Sequence, residues 1–177
     1  LCGVGPGDAH LAGAGRLAED RFAQLELPVS LDAGDPDAIA IIGGRAGREL
    51  LDVHTDRDHH RSVLTVVGEP AARAIAVATL ETLDLRLQHG AHPRIGVLDV
   101  VPFVPLAETT MAEALAARDR FARWLGDDLG IPSFLYGPDR TLPTVRREAW
   151  HTLTPDTGPN TADPRTGAVA VGARCRV

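Results

Sequence analysis

The sequence HGAHPRIGVLDVVPFVPL, residues His89–Leu106, joins a stiff loop to a long apolar run. Pro93 fixes its own backbone angle φ and disfavours a helix at His92, so the first residues are predicted to form an extended loop. The run Ile95–Val104 is rich in β-branched residues and is interrupted by Asp99. It predicts a strand that is buried on both faces. Since an unpaired buried carboxylate would be costly, Asp99 needs a partner or a task, unless it is a turn residue at the end of the strand.

The segments on both sides of this run alternate between strand and helix patterns. The predicted strands are Leu25–Leu31, Leu50–Val53, Arg61–Val67, Ser133–Tyr136 and Ala168–Val171, in addition to Ile95–Val104. The predicted helices run from Asp37 towards Ala46, from Glu69 to about Leu87, from a capping box at Thr110 and Glu113 to Gly130, and from Thr144 to Leu153. This order predicts the α+β class, as a ferredoxin-like α/β sandwich with helices on one face of a mixed sheet. Residues 1–24 are predicted to be a Gly/Ala-rich extension, and residues 25–177 the domain.

Composition excludes several classes of function. The net charge of −6 argues against a broad nucleic-acid surface, and no apolar run approaches the roughly 18 residues of a membrane span. All 18 basic residues are Arg, which excludes a lysine Schiff base and a P-loop lysine. Cys2 and Cys175 lie near opposite ends with no metal-type spacing, so a reduced, cytoplasmic setting is expected.

Three polar segments interrupt the pattern, at residues 54–61, 89–94 and 155–167. The first carries five possible metal ligands: His54, Asp56, Asp58, His59 and His60. No spacing among them dictates that three or four ligands converge on one point, so a solvated hairpin loop is the alternative and no metal is predicted.

Several longer motifs carry a family resemblance. They are LLDVHTDRDHHRSVLTVVG (Leu50–Gly68), LDLRLQHGAHPRIGVLDVVPFVPL (Leu83–Leu106), LGIPSFLYG (Leu129–Gly137), VRRE (Val145–Glu148), PDTGP (Pro155–Pro159) and GAVAVGAR (Gly167–Arg174). In this order they resemble the N-terminal subdomain of the glutamate formiminotransferase family. That family passes a formimino group from formiminoglutamate to tetrahydrofolate and has a ferredoxin-like sandwich fold.

The resemblance implies roles for particular residues. The catalytic histidine of the family's HPR(I/M)G motif corresponds to His92, and the folate-binding segment corresponds to Gly158–Gly167. Within that segment the predicted contacts are Gly158, Pro159, Asn160, Thr161, Asp163, Pro164 and Gly167. The predicted substrate-binding residues are His54, His60, Arg61, His89 and Tyr136.

The chain also departs from the family pattern. His60 stands where the family's NR(S/T)V motif has Asn, Gln88 replaces a frequent histidine, and Val29–Ala33 reads VSLDA in place of NFSEG. The family's transferase unit has two subdomains with folate between them, whereas this sequence covers the first. A one-subdomain relative would need dimerisation or a smaller substrate to complete its cleft.

The implied reaction is amidine transfer, in which the useful groups are a proton shuttle and charged side chains. A neutral imidazole, with a reference pKa of about 6.5, can move a proton from the attacking to the leaving amine, which assigns His92 as general acid/base. Asp99 is predicted to stabilise the amidinium charge, and Arg94 or Arg61 to hold a substrate carboxylate. For these charged residues a structural ion pair is the alternative interpretation.

Two further expectations concern what the chain binds. The partners are predicted to be small-molecule substrates, with tetrahydrofolate or a related folate as co-substrate, and a second copy in a homodimer. The dimer is expected because Arg61–Val67 and Ile95–Val104 are apolar on both faces, which would leave an apolar sheet face exposed. The alternative is that the Gly/Ala-rich N-terminal extension folds across this face. The alternatives to a folate-dependent transferase are a non-catalytic folate- or partner-binding module, and a transferase acting on a secondary-metabolite amine.

Overall fold

The computed structural model describes residues 36–56, 58–87, 94–106 and 109–174. The α-helices and strands in these ranges alternate, except that the first strand is followed directly by the second. They are α1 (Pro36–Gly44), β1 (Leu50–Asp56), β2 (Arg61–Val66), α2 (Glu69–Thr82), β3 (Val100–Phe103), α3 (Met111–Leu129), β4 (Ser133–Tyr136), α4 (Leu142–Glu148) and β5 (Val169–Ala173). The predicted extension 1–24 and the predicted strand Leu25–Leu31 lie outside these ranges.

The described strands form two sheets. Strands β1 and β2 make an antiparallel hairpin, in which Asp56 pairs with Arg61 and Leu50 with Val66. Strands β3, β5 and β4 form a parallel sheet in that order, with β5 in the centre. The α+β class is therefore confirmed, but within the described ranges the antiparallel and parallel pairings lie in separate sheets rather than in one mixed sheet.

Helices lie on both faces of the parallel sheet. Helices α1, α2 and α3 share the larger core with β2 and with one set of alternating side chains from the parallel sheet, including Phe103 and Val171. The opposite set, including Phe134 and Ala170, packs against Val145 of α4 in a second core. The predicted arrangement, with helices on one face, holds for α1, α2 and α3. It does not hold for α4, which covers the other face.

Helix α2 is shorter than the sequence pattern predicts. It ends at Thr82, and Leu83 is extended and buried. Local polar groups explain the early end: Asp84 Oδ1 accepts the backbone N–H of Arg86, and the backbone N–H of Leu85 donates to the carbonyl of Arg165 at 2.7 Å. Both amides are thereby withdrawn from helical bonding.

The predicted strand Ile95–Val104 is regular only at Val100–Phe103. Before it, Asp99 Oδ1 accepts the backbone N–H of Ile95 at 2.7 Å, which closes a turn over four residues. Asp99 therefore lies at the entrance to the strand, as the turn alternative predicts, and not within it. We call residues Arg94–Asp99 the Arg94 turn.

The premise of the homodimer prediction holds only in part. All four residues of β3 are buried, but β2 alternates between buried and half-buried positions, and α3 and α4 cover the parallel sheet. The large apolar side chains exposed on the hairpin are Leu51 and Val53 of β1. A homodimer stays a prediction, which the mass in solution tests. Within the described ranges, no helix combines the length and the apolarity that crossing a membrane requires.

Candidate active site

The Arg94 turn is organised around a buried carboxylate. The side chain of Asp99 is fully buried, and its two oxygens have different partners. Oδ1 accepts the Ile95 N–H at 2.7 Å, and Oδ2 lies 2.5 Å from Nη2 of Arg146 on α4. The ion pair supplies the positive charge that a buried carboxylate needs. This is the structural ion pair that the sequence left open as an alternative, and direct contact between Asp99 and a substrate stays a prediction.

Arg94 lies half-buried at the start of this turn. Burial lowers the pKa of its guanidinium, and the nearby charge of Asp99 acts in the opposite direction. The group remains a cation because arginine does not lose its proton in proteins. A partly desolvated guanidinium binds a carboxylate more strongly than one in open water does, so Arg94 can hold a substrate carboxylate.

The predicted folate segment, residues 158–167, is anchored at its start by the motif that precedes it. Asp156 accepts the backbone N–H of Leu135 at 2.7 Å and forms a two-point ion pair with Arg140, at 2.9 and 3.0 Å. The hydroxyl of Thr157 donates to the carbonyl of Ala122 on α3 at 2.9 Å. These contacts fix the segment to β4 and α3 just before Gly158.

The end of the segment is anchored to α2 and to its own turn. The carbonyl of Asp163 accepts the N–H of Gly167 at 2.8 Å, and its Oδ1 accepts the N–H of Arg165 at 2.7 Å. The guanidinium of Arg165 donates to the carbonyl of Glu81 near the end of α2 at 3.0 Å. The segment is otherwise largely exposed, including six of the seven predicted folate contacts: Gly158, Pro159, Asn160, Thr161, Asp163 and Pro164.

The folate segment and the Arg94 turn are joined through their backbones. The Val97 N–H donates to the carbonyl of Thr166 at 2.9 Å, and the Ala168 N–H donates to the carbonyl of Ile95 at 2.8 Å. Between these bonds Gly96 and Gly167 form an antiparallel bridge. Since Leu85 also binds the carbonyl of Arg165, the residues just before and just after positions 88–93 both bind residues 165–168. The structure thus joins the described residues on either side of positions 88–93 to the end of the third polar segment, residues 155–167.

The other predicted site residues lie in three places. His89 and His92 are outside the described residues. His54, His60 and Arg61 lie on the β1–β2 hairpin, whereas Asp99 precedes β3 of the parallel sheet, and His60 has a positive φ of 48°. Tyr136 is 7% exposed at the end of β4, and its ring lies flat on the backbone of Gly172, where an added Cβ would be 2.1 Å from Cζ. Substrate contacts of these residues stay predictions.

The hairpin loop has a local acid–base pair rather than a converging ligand set. Asp56 Oδ2 lies 2.8 Å from Nδ1 of His59, and Asp56 Oδ1 accepts the N–H groups of Asp58 and His59. The hydrogen bonds from His59, from its backbone first, lower the pKa of Asp56. Within residues 36–56, 58–87, 94–106 and 109–174, no three His, Cys, Asp or Glu side chains are grouped so that they could hold a metal ion.

Sequence reasoning missed three arginines that build this region: Arg140, Arg146 and Arg165. Each binds a partner at least 16 positions away, so no local pattern reveals the pairing. Two signals were present in the motifs that carry the resemblance, since VRRE contains Arg146 and PDTGP contains Asp156, the partner of Arg140.

A pH dependence follows from the residues just before position 88. Hydrogen bonds from the Arg86 side chain hold the pKa of Asp84 at about 2, below the ordinary 3.8. Because the folded-state pKa is depressed, the contribution of Asp84 to stability is present above about pH 4 and is lost as the pH falls towards 2. We expect Asp84→Asn to lower the urea midpoint slightly at pH 6 and by clearly less near pH 2. An equal loss at both pH values would contradict this role.

The comparison with protein families agrees with the motif order. Residues 37–174 match the formiminotransferase domain, N-terminal subdomain. The chain belongs to this family. The match covers the Arg94 turn, the folate segment, and every described helix and strand except the first residue of α1.

Curated relatives of this formiminotransferase subdomain come from animals, bacteria and archaea. The formimidoyltransferase-cyclodeaminase of Sus scrofa is 35% identical over 159 residues, which cover 78% of this chain and 29% of the relative. The glutamate formimidoyltransferase of Streptococcus pyogenes serotype M1 is 35% identical over 148 residues, covering 72% of this chain and 50% of the relative. That of Thermoplasma acidophilum is 34% identical over 151 residues, covering 71% and 48%. The chain therefore spans half or less of the length of these relatives.

Proposed function

We propose that this chain carries the catalytic half-site of a formimidoyl transferase, which moves an amidine carbon from an amino-acid-type donor to an amine acceptor such as tetrahydrofolate. The observation that carries the proposal is the backbone junction of the Arg94 turn with residues 166–168. At this junction, Ile95 of the HPRIG motif and the adjacent Val97 form backbone hydrogen bonds with the end of the predicted folate segment and the residue after it. Membership of the formiminotransferase family and the names of the relatives support the same reaction class.

In the proposed reaction the acceptor amine forms a bond to the formimidoyl carbon. The resulting tetrahedral centre carries three nitrogens, and it collapses when the bond to the donor nitrogen breaks. His92 takes the proton from the attacking amine and delivers it to the leaving amine, so no net proton is gained or lost. Arg94 holds a donor carboxylate, and the exposed side chains of Asn160, Thr161 and Asp163 offer hydrogen bonds to the acceptor.

A non-catalytic folate-binding module is the second candidate. It is favoured by the change of the family's Asn to His60. In such a module the folate segment, anchored at Asp156 and Arg165, would bind folate without catalysing transfer. A transferase that uses another amine, such as one on a secondary metabolite, is a variant of the first proposal.

A transfer assay combined with calorimetry separates these candidates. We expect the purified chain to transfer the formimidoyl group from formiminoglutamate to tetrahydrofolate, and to bind tetrahydrofolate in the absence of donor. Binding without turnover, with tetrahydrofolate and with simple amines alike, would replace the transferase by the binding module. Turnover with simple amines but not with folate would identify a different acceptor. The absence of both binding and turnover would contradict the proposal.

A further inference from the structure

A chain of contacts links α4 to the peptide bond that follows Arg94. Arg146 Nη2 lies 2.5 Å from Asp99 Oδ2, and Asp99 Oδ1 accepts the N–H of Ile95 at 2.7 Å. That N–H belongs to the Arg94–Ile95 peptide, so its hydrogen bond sets the orientation of the backbone that carries the Arg94 side chain. We infer that Arg146 is a positioning residue for the proposed transfer, acting through Asp99 on the Arg94 turn. The inference rests on the proposed function.

Burial makes Asp99 dependent on Arg146. The Asp99 side chain is fully buried, whereas that of Arg146 is 22% exposed. A carboxylate in this position remains charged and in place when a cation compensates it. Without Arg146, the more distant charge of Arg94 compensates Asp99 only in part. Asp99 would then take up a proton or turn towards water, and either change weakens its bond to the Ile95 N–H. Arg146 therefore acts on the turn through the charge state and position of Asp99.

The position of Arg146 is itself fixed by packing. Its neighbour Val145 is fully buried, and Ala149, one turn later, is 5% exposed, both in the core beneath α4. The helix is capped by Thr141, whose hydroxyl accepts the N–H of Thr144 at 3.2 Å. The guanidinium thus projects from a rigid element. The contacts from Arg146 to Asp99 and from Asp99 to the Ile95 N–H connect this rigid helix to the Arg94 turn.

The opposite side of the turn is held by the predicted folate segment. Val97 and Ile95 bind the carbonyl of Thr166 and the N–H of Ala168, respectively. The turn consequently lies between two supports, the Arg146–Asp99 pair and residues 166–168. Loss of the Arg146 support leaves the folate side in place, so the expected defect concerns the geometry of the Arg94–Ile95 peptide rather than attachment of the turn.

A double-mutant cycle on the full chain distinguishes positioning from direct substrate contact. Asn at position 99 can still accept the Ile95 N–H through its carbonyl oxygen, and it needs no cation. We expect Arg146→Met in the wild-type background to lower kcat/KM for formiminoglutamate by about tenfold or more. In the Asp99→Asn background, the same substitution should change kcat/KM by no more than about threefold. Arg147→Met is the matched control, because Arg147 lies on the same helix, is 67% exposed and pairs with Glu148.

Two kinetic outcomes would overturn the inference. A folded double variant about tenfold or more slower than Asp99→Asn alone would mean that Arg146 touches the substrate directly. Unchanged kinetics of folded Arg146→Met would mean that the pair affects stability alone. If Arg146→Met does not fold, Arg146→Lys replaces it. We expect Arg146→Lys to slow transfer by about threefold in the wild-type background and to have little effect in the Asp99→Asn background.

Hydrogen exchange at the Ile95 amide gives a readout that does not depend on turnover. Arg146→Met should raise its exchange rate by about tenfold or more, while the double variant and Arg147→Met should stay near the wild type. An unchanged Ile95 exchange rate in Arg146→Met would overturn the positioning role even if the chain is a transferase. If the chain proves inactive while Ile95 exchange responds as expected, the proposed function fails and the Arg146–Asp99–Ile95 link is retained.

Discussion

His92→Ala is expected to lower the turnover of formimidoyl transfer by about 10²–10⁴-fold with little change in the melting temperature. The physical reason is that the imidazole carries the proton between two amines, and alanine leaves both transfers to water. Turnover should also depend on pH through the imidazole, falling as the ring becomes protonated below its pKa. A steady-state assay at several pH values, with the melting temperature measured in parallel, checks both expectations.

The control for this variant is His151→Ala, which removes an exposed histidine from the turn after α4. We expect it to leave turnover and its pH dependence unchanged. Undiminished activity in His92→Ala would contradict the assignment of His92 as the general acid/base. Equal losses in both variants would point to a general effect of removing a histidine rather than to chemistry at position 92.

Gly167→Ala is expected to have the largest effect on stability. Gly167 has a φ of +72°, and an added Cβ would lie 2.3 Å from the carbonyl oxygen of Ile95 and 2.5 Å from the Cα of Gly96. Both obstacles are backbone, so the junction must separate for alanine to fit. Together the strained φ and the overlap should cost about 3–5 kcal/mol and lower the melting temperature by about 10 °C. Affinity for tetrahydrofolate should fall with it, because the separation displaces the end of the folate segment.

Gly44→Ala provides the matched control at the end of α1, where an added Cβ meets no heavy atom within 4 Å. It should be neutral or slightly stabilising, since alanine favours a helix more than glycine does. Thermal unfolding and calorimetry with tetrahydrofolate measure the two effects. If the Gly167→Ala variant had the same melting temperature as the wild type, the junction would tolerate separation. That result would contradict a stabilising role for the close packing of Gly96 and Gly167.

The elements that sequence predicts best are those whose signals are local. The capping box at α3 forms as expected, with Thr110 and Glu113 each accepting a backbone N–H of the other, and the helix ends at Gly130 in the left-handed conformation. Strand β4 has the predicted bounds, Ser133–Tyr136. In each case a few neighbouring residues determine the boundary.

The errors arise where distant residues compete with a local pattern. The apolar run Ile95–Val104 satisfies a strand pattern throughout, but its first half bonds to Asp99 and to residues 166–168 instead of extending β3. Similarly, the apolar face of α2 continues to Leu87, yet the chain leaves the helix at Leu83. The Arg146–Asp99 pair spans 47 positions. Hence the motifs located the segments of the candidate site, whereas the ion pairs that position them required the structure.

The central place of β5 has a consequence for synthesis of the chain. Strand β5 is the last described strand, and both β3 and β4 make their ladders with it. Hence the parallel sheet cannot form on a ribosome until Val169–Ala173 has emerged from the exit tunnel. Until then the apolar residues of β3 and β4 lack their pairing partner. Such late, non-local pairing slows folding and prolongs exposure to aggregation. Synthesis of this chain should therefore depend on chaperone protection until β5 is available.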